Sequence, residues 1–299
     1  MVIVVHGGLA EEEFLASDAL LRACEVATEA MKGKEAIEGV ESAVKVLEDD
    51  PRLNAGTGSF PNLLGEIEMS AGVMKDDYSC GGVAAIKNIK NPISVARAVM
   101  EQTRHILLVG EGANLFAHLL GFEPYDPRAE LTIKTWKESL HKAEEEKRPI
   151  YRYYLEKAQE KLQETHWGTV GAVTKDEKGG LAAGTSTGGV KVQLPGRVGD
   201  SPIVGCGTFA CPWGAVSMTG EGEEIMRWGM ARRIGEWMEE VSAQEAVNRG
   251  MEIALEKKIL CGVIAISKRG EIGWGANGGM LPLAYWKKGM EKPLFTLVD

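Results

Sequence analysis

A glycine–threonine bond in the middle of the chain has the residue types that an N-terminal nucleophile needs. Thr169 follows Gly168, after a long charged segment. A threonine hydroxyl is a weak nucleophile unless a base lies beside it, and a free α-amine on the same residue can serve as that base. This amine titrates at about 7.7–8.0, so roughly a tenth of it is neutral near pH 7 and can accept a proton. Cleavage before Thr169 would free it; the alternative is a threonine that merely opens a strand.

Two loops downstream carry hydroxyl groups and a pair of opposite charges. The run Thr185–Gly189 presents three hydroxyl groups and then two glycines. In the loop Pro195–Pro202, Arg197 precedes Asp200 by three positions. A guanidinium binds a carboxylate through two parallel hydrogen bonds and a carboxylate binds an ammonium, so the pair suits an α-amino acid. The alternative for Arg197 and Asp200 is a surface ion pair, which contributes little to stability.

A third glycine-rich turn, Met218–Glu223, joins a predicted strand to a predicted helix. Backbone N–H groups at the start of that helix, together with the Thr219 hydroxyl, would form an oxyanion hole. The alternative is a glycine-rich helix cap without a chemical role. The three stretches together would supply a nucleophile, a substrate clamp and an oxyanion site, which are the parts that acyl transfer requires.

The elements that must hold these residues follow from the hydrophobic pattern. Short β-prone runs predict strands over Val2–Val5, Ile67–Met74, Gly82–Ile86, His105–Val109, Thr169–Thr174, Leu181–Thr185, Val204–Gly207, Gly214–Met218, Cys261–Ser267 and Glu271–Ala276. Apolar residues at helical spacing predict helices over Glu11–Lys32, Lys34–Leu47, Ile93–Thr103, Glu111–Leu120, Glu223–Glu239 and Ala243–Lys258. Strands cluster and helices cluster, which favours an α+β fold of stacked sheets covered by helices.

Composition excludes several classes of protein. The 299 residues carry a net charge of −9 without a long basic run, which argues against a nucleic-acid or anionic-membrane partner. The five cysteines show no metal-type or redox spacing, so free thiols are expected. The start, Met1–His6, does not resemble a signal peptide, and no run approaches the length of a membrane span. We therefore expect a soluble, cytoplasmic protein.

The histidines and the charged segment are not expected to form a site. The five histidines are too scattered to bind a metal, and each is expected to cap an element or to lie at the surface, with His105 supporting the β-sheet end near the site. The segment 122–168 is dominated by Lys, Glu and Arg, and we predict a helix that leads into a mobile linker.

The motifs, taken in order, resemble one family over nearly the whole chain: the plant-type asparaginases, or isoaspartyl peptidases, of the N-terminal-nucleophile hydrolases. Its first half is matched by His6-Gly7-Gly8, Asn54-Ala55-Gly56-Thr57-Gly58 and Asn91-Pro92. Its second half is matched by Gly168-Thr169-Val170-Gly171-Ala172-Val173, Thr185-Ser186-Thr187-Gly188-Gly189 and Pro195–Pro202. This order and spacing is highly specific.

The resemblance implies a four-layer αββα sandwich, made as one inactive precursor domain over residues 1–299. Autocatalytic cleavage at Gly168–Thr169 would give an α subunit, 1–168, and a β subunit, 169–299. The two subunits would stay associated, in a homodimer of αβ units. The implied activity is that of a threonine-dependent hydrolase, which converts L-asparagine to L-aspartate and ammonia and cleaves β-aspartyl dipeptides.

The resemblance also assigns roles to single residues. Thr169 would be the nucleophile, with Thr187 in a hydrogen bond near it. Arg197 would bind the substrate α-carboxylate and Asp200 its α-ammonium. The remaining matches are Thr219 and Gly220 at the oxyanion, Gly220 and Gly222 beside the substrate, and Asn54 as a supporting residue. No catalytic cofactor is implied; a structural sodium ion could bind backbone carbonyls of Leu47–Thr57, which leave no side-chain signature.

Some features separate this chain from its rivals within the superfamily. Glycosylasparaginases and aspartate-directed endopeptidases prefer Asp before the nucleophile, whereas this chain has Gly168, preceded by His166 and Trp167. Glu221 adds a negative charge near the expected leaving-group side, where it could disfavour acidic leaving groups. A rival of another class is a non-catalytic binding protein for aspartate-like ligands, which would need Arg197 and Asp200 but no nucleophile.

Overall fold

The computed structural model describes residues 1–10, 14–134, 136 and 168–299. It is a mixed α/β structure with large sheets, compatible with the predicted α+β class. The strands are β1 Val2–His6, β2 Met69–Lys75, β3 Cys80–Ile86, β4 Leu107–Val109, β5 Val170–Lys175, β6 Leu181–Thr187, β7 Thr208–Cys211, β8 Gly214–Gly220, β9 Cys261–Ser267, β10 Ile272–Asn277, β11 Leu281–Lys287 and β12 Leu294–Val298. The helices are α1 Ser17–Ala30, α2 Ala36–Glu48, α3 Pro92–Gln102, α4 Gly110–Leu119, α5 Gly222–Trp228, α6 Met230–Trp237 and α7 Ala243–Lys257.

Helix α2 shows how the sequence pattern becomes packing. Ile37, Val40, Val44 and Leu47, the residues of its predicted apolar face, are all buried. The spacing places them on one side of the helix, which rests on β5 and β6. The helix ends at Glu48, shortly before Pro51, which cannot continue it.

Two sheets lie at the centre of the molecule. The larger has eight strands in the order β12-β11-β1-β5-β6-β2-β3-β4, and the smaller has four in the order β10-β9-β8-β7. Strands β5 and β6 of the large sheet contact β8 of the small one, so the two sheets face each other. Helices α1, α2 and α3 cover the outer face of the large sheet, while α6 and α7 pack on the small sheet. Strands β5 and β6, the first two after Thr169, therefore lie in the middle of the large sheet, with β5 directly beside β1.

The structure corrects three sequence predictions. Residues Val204–Gly207 do not form a strand, because turns and the left-handed Gly205 interrupt them and only Val204 makes a bridge. The helix expected over Glu223–Glu239 is two helices, since Gly229 adopts a left-handed conformation with φ of 56° and ends the first one. Strands β11 and β12 were not predicted at all, although β11 pairs with β1.

Three further expectations concern membrane spans, the cysteines and the linker. Among the described residues, no helix is long and apolar enough to cross a membrane. The cysteines are free thiols, as expected, and Cys24, Cys211 and Cys261 are buried. The predicted linker 122–168 lies largely outside the described residues; a helical stretch at 130–134 precedes that gap.

Candidate active site

The register of two neighbouring strands brings the predicted nucleophile to Thr187. Strands β5 and β6 are antiparallel and pair Val170 with Ser186, so Thr169 lies opposite Thr187 at the next position. The Thr169 Oγ1 hydroxyl donates a hydrogen bond of 3.1 Å to Thr187 Oγ1. The backbone N–H of Gly189 donates to the same Thr187 oxygen at 3.0 Å. Both hydroxyl groups are buried and their relative position is fixed by backbone pairing.

A small cavity joins this pair to the other predicted residues. Its volume is about 10 Å³, which is room for roughly one water molecule. Seven of the residues that the sequence analysis singled out line it, together with two from the turn after β6. The lining residues are Gly168, Thr169, Thr187, Gly189, Val190, Arg197, Asp200, Thr219 and Gly220.

The bond before Thr169 is enclosed by backbone. Gly8 has a φ of 93°, and a Cβ there would lie 2.5 Å from Gly168 Cα and 3.0 Å from Thr169 N. Only glycine fits at this position, because both the conformation and the contact exclude a side chain. The Gly8 loop therefore packs directly on the Gly168–Thr169 bond.

Asn54 supports the turn that follows Thr187. Its Nδ2 donates to the Gly189 carbonyl at 2.7 Å, and its Oδ1 accepts from the Phe60 N–H at 3.1 Å. Its backbone carbonyl accepts from the N–H of Gly188. A Cβ on Gly168 would lie 3.2 Å from Asn54 Cβ, so Asn54 also lies beside the residue before Thr169. The supporting role of Asn54 stays a prediction.

Thr219 lies near the end of β8 and lines the cavity. Thr219 Oγ1 is buried and has no hydrogen-bond partner among the described residues. An unpaired buried hydroxyl costs free energy, so its retention is typical of a group that pairs with a ligand. The next residue, Gly220, has a φ of 131°, and a Cβ there would lie 2.1 Å from the Leu260 carbonyl oxygen. Thr219 thus offers an unpaired hydroxyl, and the backbone at Gly220 has a conformation and a close contact that only glycine permits.

Asp200 is a buried carboxyl group at the same cavity. Removal from water raises its pKa to about 7, and this effect exceeds the opposing ones of its own backbone N–H and of the Arg197 charge. Its Oδ2 atom has no hydrogen-bond partner among the described residues. A Cβ on Gly222 would lie 2.8 Å from Asp200 Oδ1, so Gly222 leaves room for this carboxyl. Asp200 is therefore available to a cationic ligand group.

Arg197 has a partner that the sequence analysis missed. Its Nε donates to Glu223 Oε1 at 2.9 Å, and its Nη2 donates to Glu223 Oε2 at 2.8 Å. The side chain of Arg197 is 15% exposed and that of Glu223 is 57% exposed. The sequence placed Glu223 only in the first turn of a predicted helix, and its separation from Arg197 along the chain did not indicate an ion pair.

His6 is also part of this region, contrary to the expectation of a capping or surface histidine. It is fully buried, and desolvation lowers its pKa to about 3, so the ring is neutral. Nδ1 accepts from the Gly8 N–H, hence the proton is on Nε2, which donates to Ser217 Oγ at 3.0 Å. Ser217 bonds to Thr185 Oγ1 at 2.8 Å, and Thr185 donates to the Gly207 carbonyl at 3.1 Å.

The remaining sequence candidates lie away from the cavity. His105 is exposed before the edge strand β4, so it does not support the site. Glu221 is not in the cavity lining; its Oε2 accepts from the Leu260 N–H at 3.1 Å. Within the described ranges, no three His, Cys, Asp or Glu residues are grouped so that they could bind a metal ion.

Comparison with known proteins agrees with the geometry. The model of an asparaginase family matches residues 1–294. The chain is 40% identical over 302 residues to the plant-type L-asparaginase of Pyrococcus horikoshii, with 98% of each chain covered. It is 40% identical over 298 residues to the isoaspartyl peptidase/L-asparaginase of Bos taurus, with 96% of this chain and 94% of that protein covered. The family that the motifs resemble is thereby confirmed, and the chain belongs to the asparaginase family.

Proposed function

We propose that this protein hydrolyses L-asparagine to L-aspartate and ammonia and cleaves β-aspartyl dipeptides, with Thr169 as its nucleophile. One observation carries the proposal. The Thr169 hydroxyl, in a hydrogen bond to Thr187, lies in the same cavity as Arg197, Asp200 and the unpaired Thr219 hydroxyl. A nucleophile, an amino-acid clamp and an oxyanion donor are the parts that acyl transfer from the side-chain amide of an amino acid requires. The family to which the chain belongs supports the same reaction.

The protein becomes active, in this proposal, by cutting its own Gly168–Thr169 bond. The chain is one domain with the layers of an N-terminal-nucleophile hydrolase, an αββα sandwich that remains associated as an α subunit, 1–168, and a β subunit, 169–299. Support comes from the helix, sheet, sheet, helix order of the layers and from the place of β5 between β1 and β6. Because β5 is held on both sides, a cut before it would leave the strand in place.

Each catalytic step uses groups at the cavity. The freed α-amine of Thr169 takes the hydroxyl proton while Oγ1 bonds to the side-chain carbonyl carbon of the substrate. Thr219 and Gly220 stabilise the oxyanion of the tetrahedral intermediate. The C–N bond then breaks, and the departing amine takes the proton from the α-ammonium of Thr169. Water, deprotonated by the same amine, attacks the ester, so that aspartate leaves and the hydroxyl is restored.

The clamp explains why asparagine and β-aspartyl dipeptides would share one site. Both carry a free α-carboxylate and a free α-ammonium beside the side-chain amide that is cut. Arg197 binds the first group and Asp200 the second, with Gly222 leaving space beside them. The leaving group differs, as ammonia or the amine of a peptide, and it points away from the clamp.

Two structural properties of the family belong to the same proposal. A sodium ion would bind backbone oxygens of Leu47–Thr57. The Leu53 and Pro51 carbonyl oxygens of this loop lie near one another, since they would be 1.8 and 2.9 Å from a Cβ at Gly58. Oxygen ligands of this kind suit a hard cation. The processed αβ units would pair as a homodimer. Sedimentation velocity would measure the mass of the assembly, and the residual sodium of a dialysed sample would measure the ion.

The main test is Thr169→Ala, examined by intact mass and by ammonia release from asparagine. The wild type is expected to give two chains, the second starting at Thr169, and to release ammonia. The variant is expected to stay one chain without activity, because it lacks the hydroxyl needed for both reactions. Thr174→Ala is the matched control, since Thr174 is a buried threonine on β5, the strand that follows Thr169, and its hydroxyl donates to the Ala36 carbonyl. A cut and active Thr169→Ala protein would overturn the proposal.

A substrate panel separates the rival functions. Asparagine, β-aspartyl dipeptides and glycosylated asparagine are offered to the processed enzyme at equal concentration. Preference for the glycosylated substrate would indicate a glycosylasparaginase instead. Binding of aspartate without ammonia release from asparagine would indicate a non-catalytic binding protein.

A further inference from the structure

We propose that Glu223 is the positioning residue for Arg197 and thereby sets the requirement for a free α-carboxylate in the substrate. The inference rests on the proposed function, because it assigns the α-carboxylate to Arg197. It concerns a residue that lies outside the cavity and acts through the guanidinium alone.

The geometry of the ion pair leaves one edge of the guanidinium for a ligand. Glu223 accepts from Nε and Nη2 of Arg197, at 2.9 and 2.8 Å, which occupies the side-on edge. A guanidinium has five N–H groups, so the end-on edge of Nη1 and the second Nη2 hydrogen can fork another carboxylate. Arg197 lines the cavity and Glu223 does not, so the two carboxylates approach from different sides.

Among the described residues, the guanidinium donates side-chain hydrogen bonds to Glu223, while Asp200 acts on it through charge. Two glycines flank it: a Cβ on Gly199 would lie 2.8 Å from Nη1, and a Cβ on Gly222 would lie 3.0 Å from Nη2. These contacts exclude neighbouring side chains but make no hydrogen bonds that would set the rotation of the group. The two bonds to Glu223 therefore orient Arg197 before substrate arrives, and a pre-oriented group loses less entropy on binding.

A competing role for Glu223 is that of an internal carboxylate that blocks Arg197. The two roles predict opposite changes. If Glu223 orients the end-on edge, its neutralisation weakens substrate binding; if it blocks the guanidinium, the same change strengthens it. The free end-on edge favours the orienting role.

The test compares Glu223→Gln with wild type on two substrates. L-asparagine carries an α-carboxylate, and its α-amide lacks one. For asparagine, KM is expected to rise about 3–10-fold, less than the ~12-fold or more of a buried charge-assisted bond, because Glu223 is half exposed. The turnover number, kcat, should stay within about twofold, since Arg197 contacts the end of the substrate that does not react. For the α-amide, the variant and the wild type should have the same KM.

Glu224→Gln is the matched control. Glu224 is the next residue on the same helix and pairs with Arg227 at 3.3 Å, away from the cavity. Its neutralisation removes the same charge from the same turn and should leave both KM values unchanged. Melting temperatures of the two variants show whether either one perturbs the fold.

The outcomes are distinct from failure of the proposed function. If wild type and Glu224→Gln release no ammonia from asparagine, the proposed function fails. If both are active and Glu223→Gln shows an unchanged or lower KM for asparagine, the positioning role is overturned. An equal rise in KM for asparagine and its α-amide also overturns it, because the effect would then not act through the α-carboxylate.

Discussion

Two hydroxyl clusters start from the same face of β6, two residues apart, and they differ in how their hydrogen bonds end. The closed cluster consists of His6, Ser217 and Thr185, and its chain of donors ends on the Gly207 carbonyl. The open cluster consists of Thr169, Thr187 and Thr219. There the Thr169 hydroxyl reaches Thr187, while the Thr219 hydroxyl has no partner among the described residues.

This difference indicates that the closed cluster stabilises the fold and that the open cluster is the one suited to bind substrate. In the closed cluster every donor has an acceptor, and the neutral ring of His6 bridges the two sheets, which is how buried polar groups contribute to a stable fold. The open cluster leaves polar atoms unpaired beside a cavity, at a cost in stability that a bound substrate would offset. Burial alone does not distinguish the two, since both are buried. Access to the cavity does.

The largest effect is expected from Thr219→Val, which removes the unpaired hydroxyl of the open cluster. Loss of one oxyanion donor should lower kcat by about 10²–10³-fold. The melting temperature should not fall, because the hydroxyl has no protein partner to lose. Steady-state kinetics and thermal unfolding of the same processed sample check both parts. A large loss of stability with normal kcat would place Thr219 in the closed class.

A smaller effect is expected from pH: below pH 7, KM for asparagine should rise about tenfold per pH unit as Asp200 becomes protonated. Asp200 must be ionised to bind an ammonium, and its pKa is about 7 because of burial. As pH falls below 7 the group becomes neutral, so KM for asparagine should rise by about tenfold at pH 6 relative to its plateau above pH 8. Protonation of the Thr169 amine should instead appear in kcat.

Glu48 provides the control for this pH effect. Burial raises its pKa to about 8, yet it lies outside the cavity and accepts from the Ile93 N–H and the Ser186 hydroxyl. Glu48→Gln should therefore keep the pH profile of KM. If this variant removes the profile, the titrating group is not Asp200.

The smallest effect on catalysis is expected from Ser217→Ala, which opens the closed cluster. It leaves the His6 Nε2–H and the Thr185 hydroxyl without their shared partner, and the free energy of unfolding should fall by about 1–3 kcal/mol. The ratio kcat/KM should change by less than about tenfold, since Ser217 and Thr185 do not line the cavity and His6 keeps its hydrogen bond to the Thr169 backbone. Comparison of melting curves and kinetics with those of Thr219→Val gives the contrast directly. Equal losses of activity in Ser217→Ala and Thr219→Val would show that the closed and open clusters do not differ in function.

The open cluster was predictable from sequence to the extent that it is local. Gly168–Thr169 and the turn after β6 are contiguous motifs, and the antiparallel pairing of two adjacent strands brings Thr169 to Thr187. Arg197, Asp200 and Thr219 were also named from their loops. Their convergence on one cavity needed the fold, because it depends on how the two sheets face each other.

The closed cluster could not be predicted in the same way. His6 and Ser217 are 211 positions apart, and nothing in either local pattern indicates a contact. The one trace is Gly171, where a Cβ would lie 2.0 Å from Ser217 Oγ and 2.4 Å from His6 Nε2, so the pair requires a glycine there. The missed strand β11 has a similar cause, since its partner β1 lies at the other end of the chain.

In the proposed function, one bond is both the first that the protein cuts and the source of its catalytic base. A time course that starts from the uncut precursor tests it most directly, with the fraction of chains that begin at Thr169 and the rate of ammonia release from asparagine measured in the same samples. We expect no ammonia release at zero cleavage and, thereafter, a rate strictly proportional to the fraction of cut chains. Full activity in uncut chains, or a rate unrelated to that fraction, would contradict it.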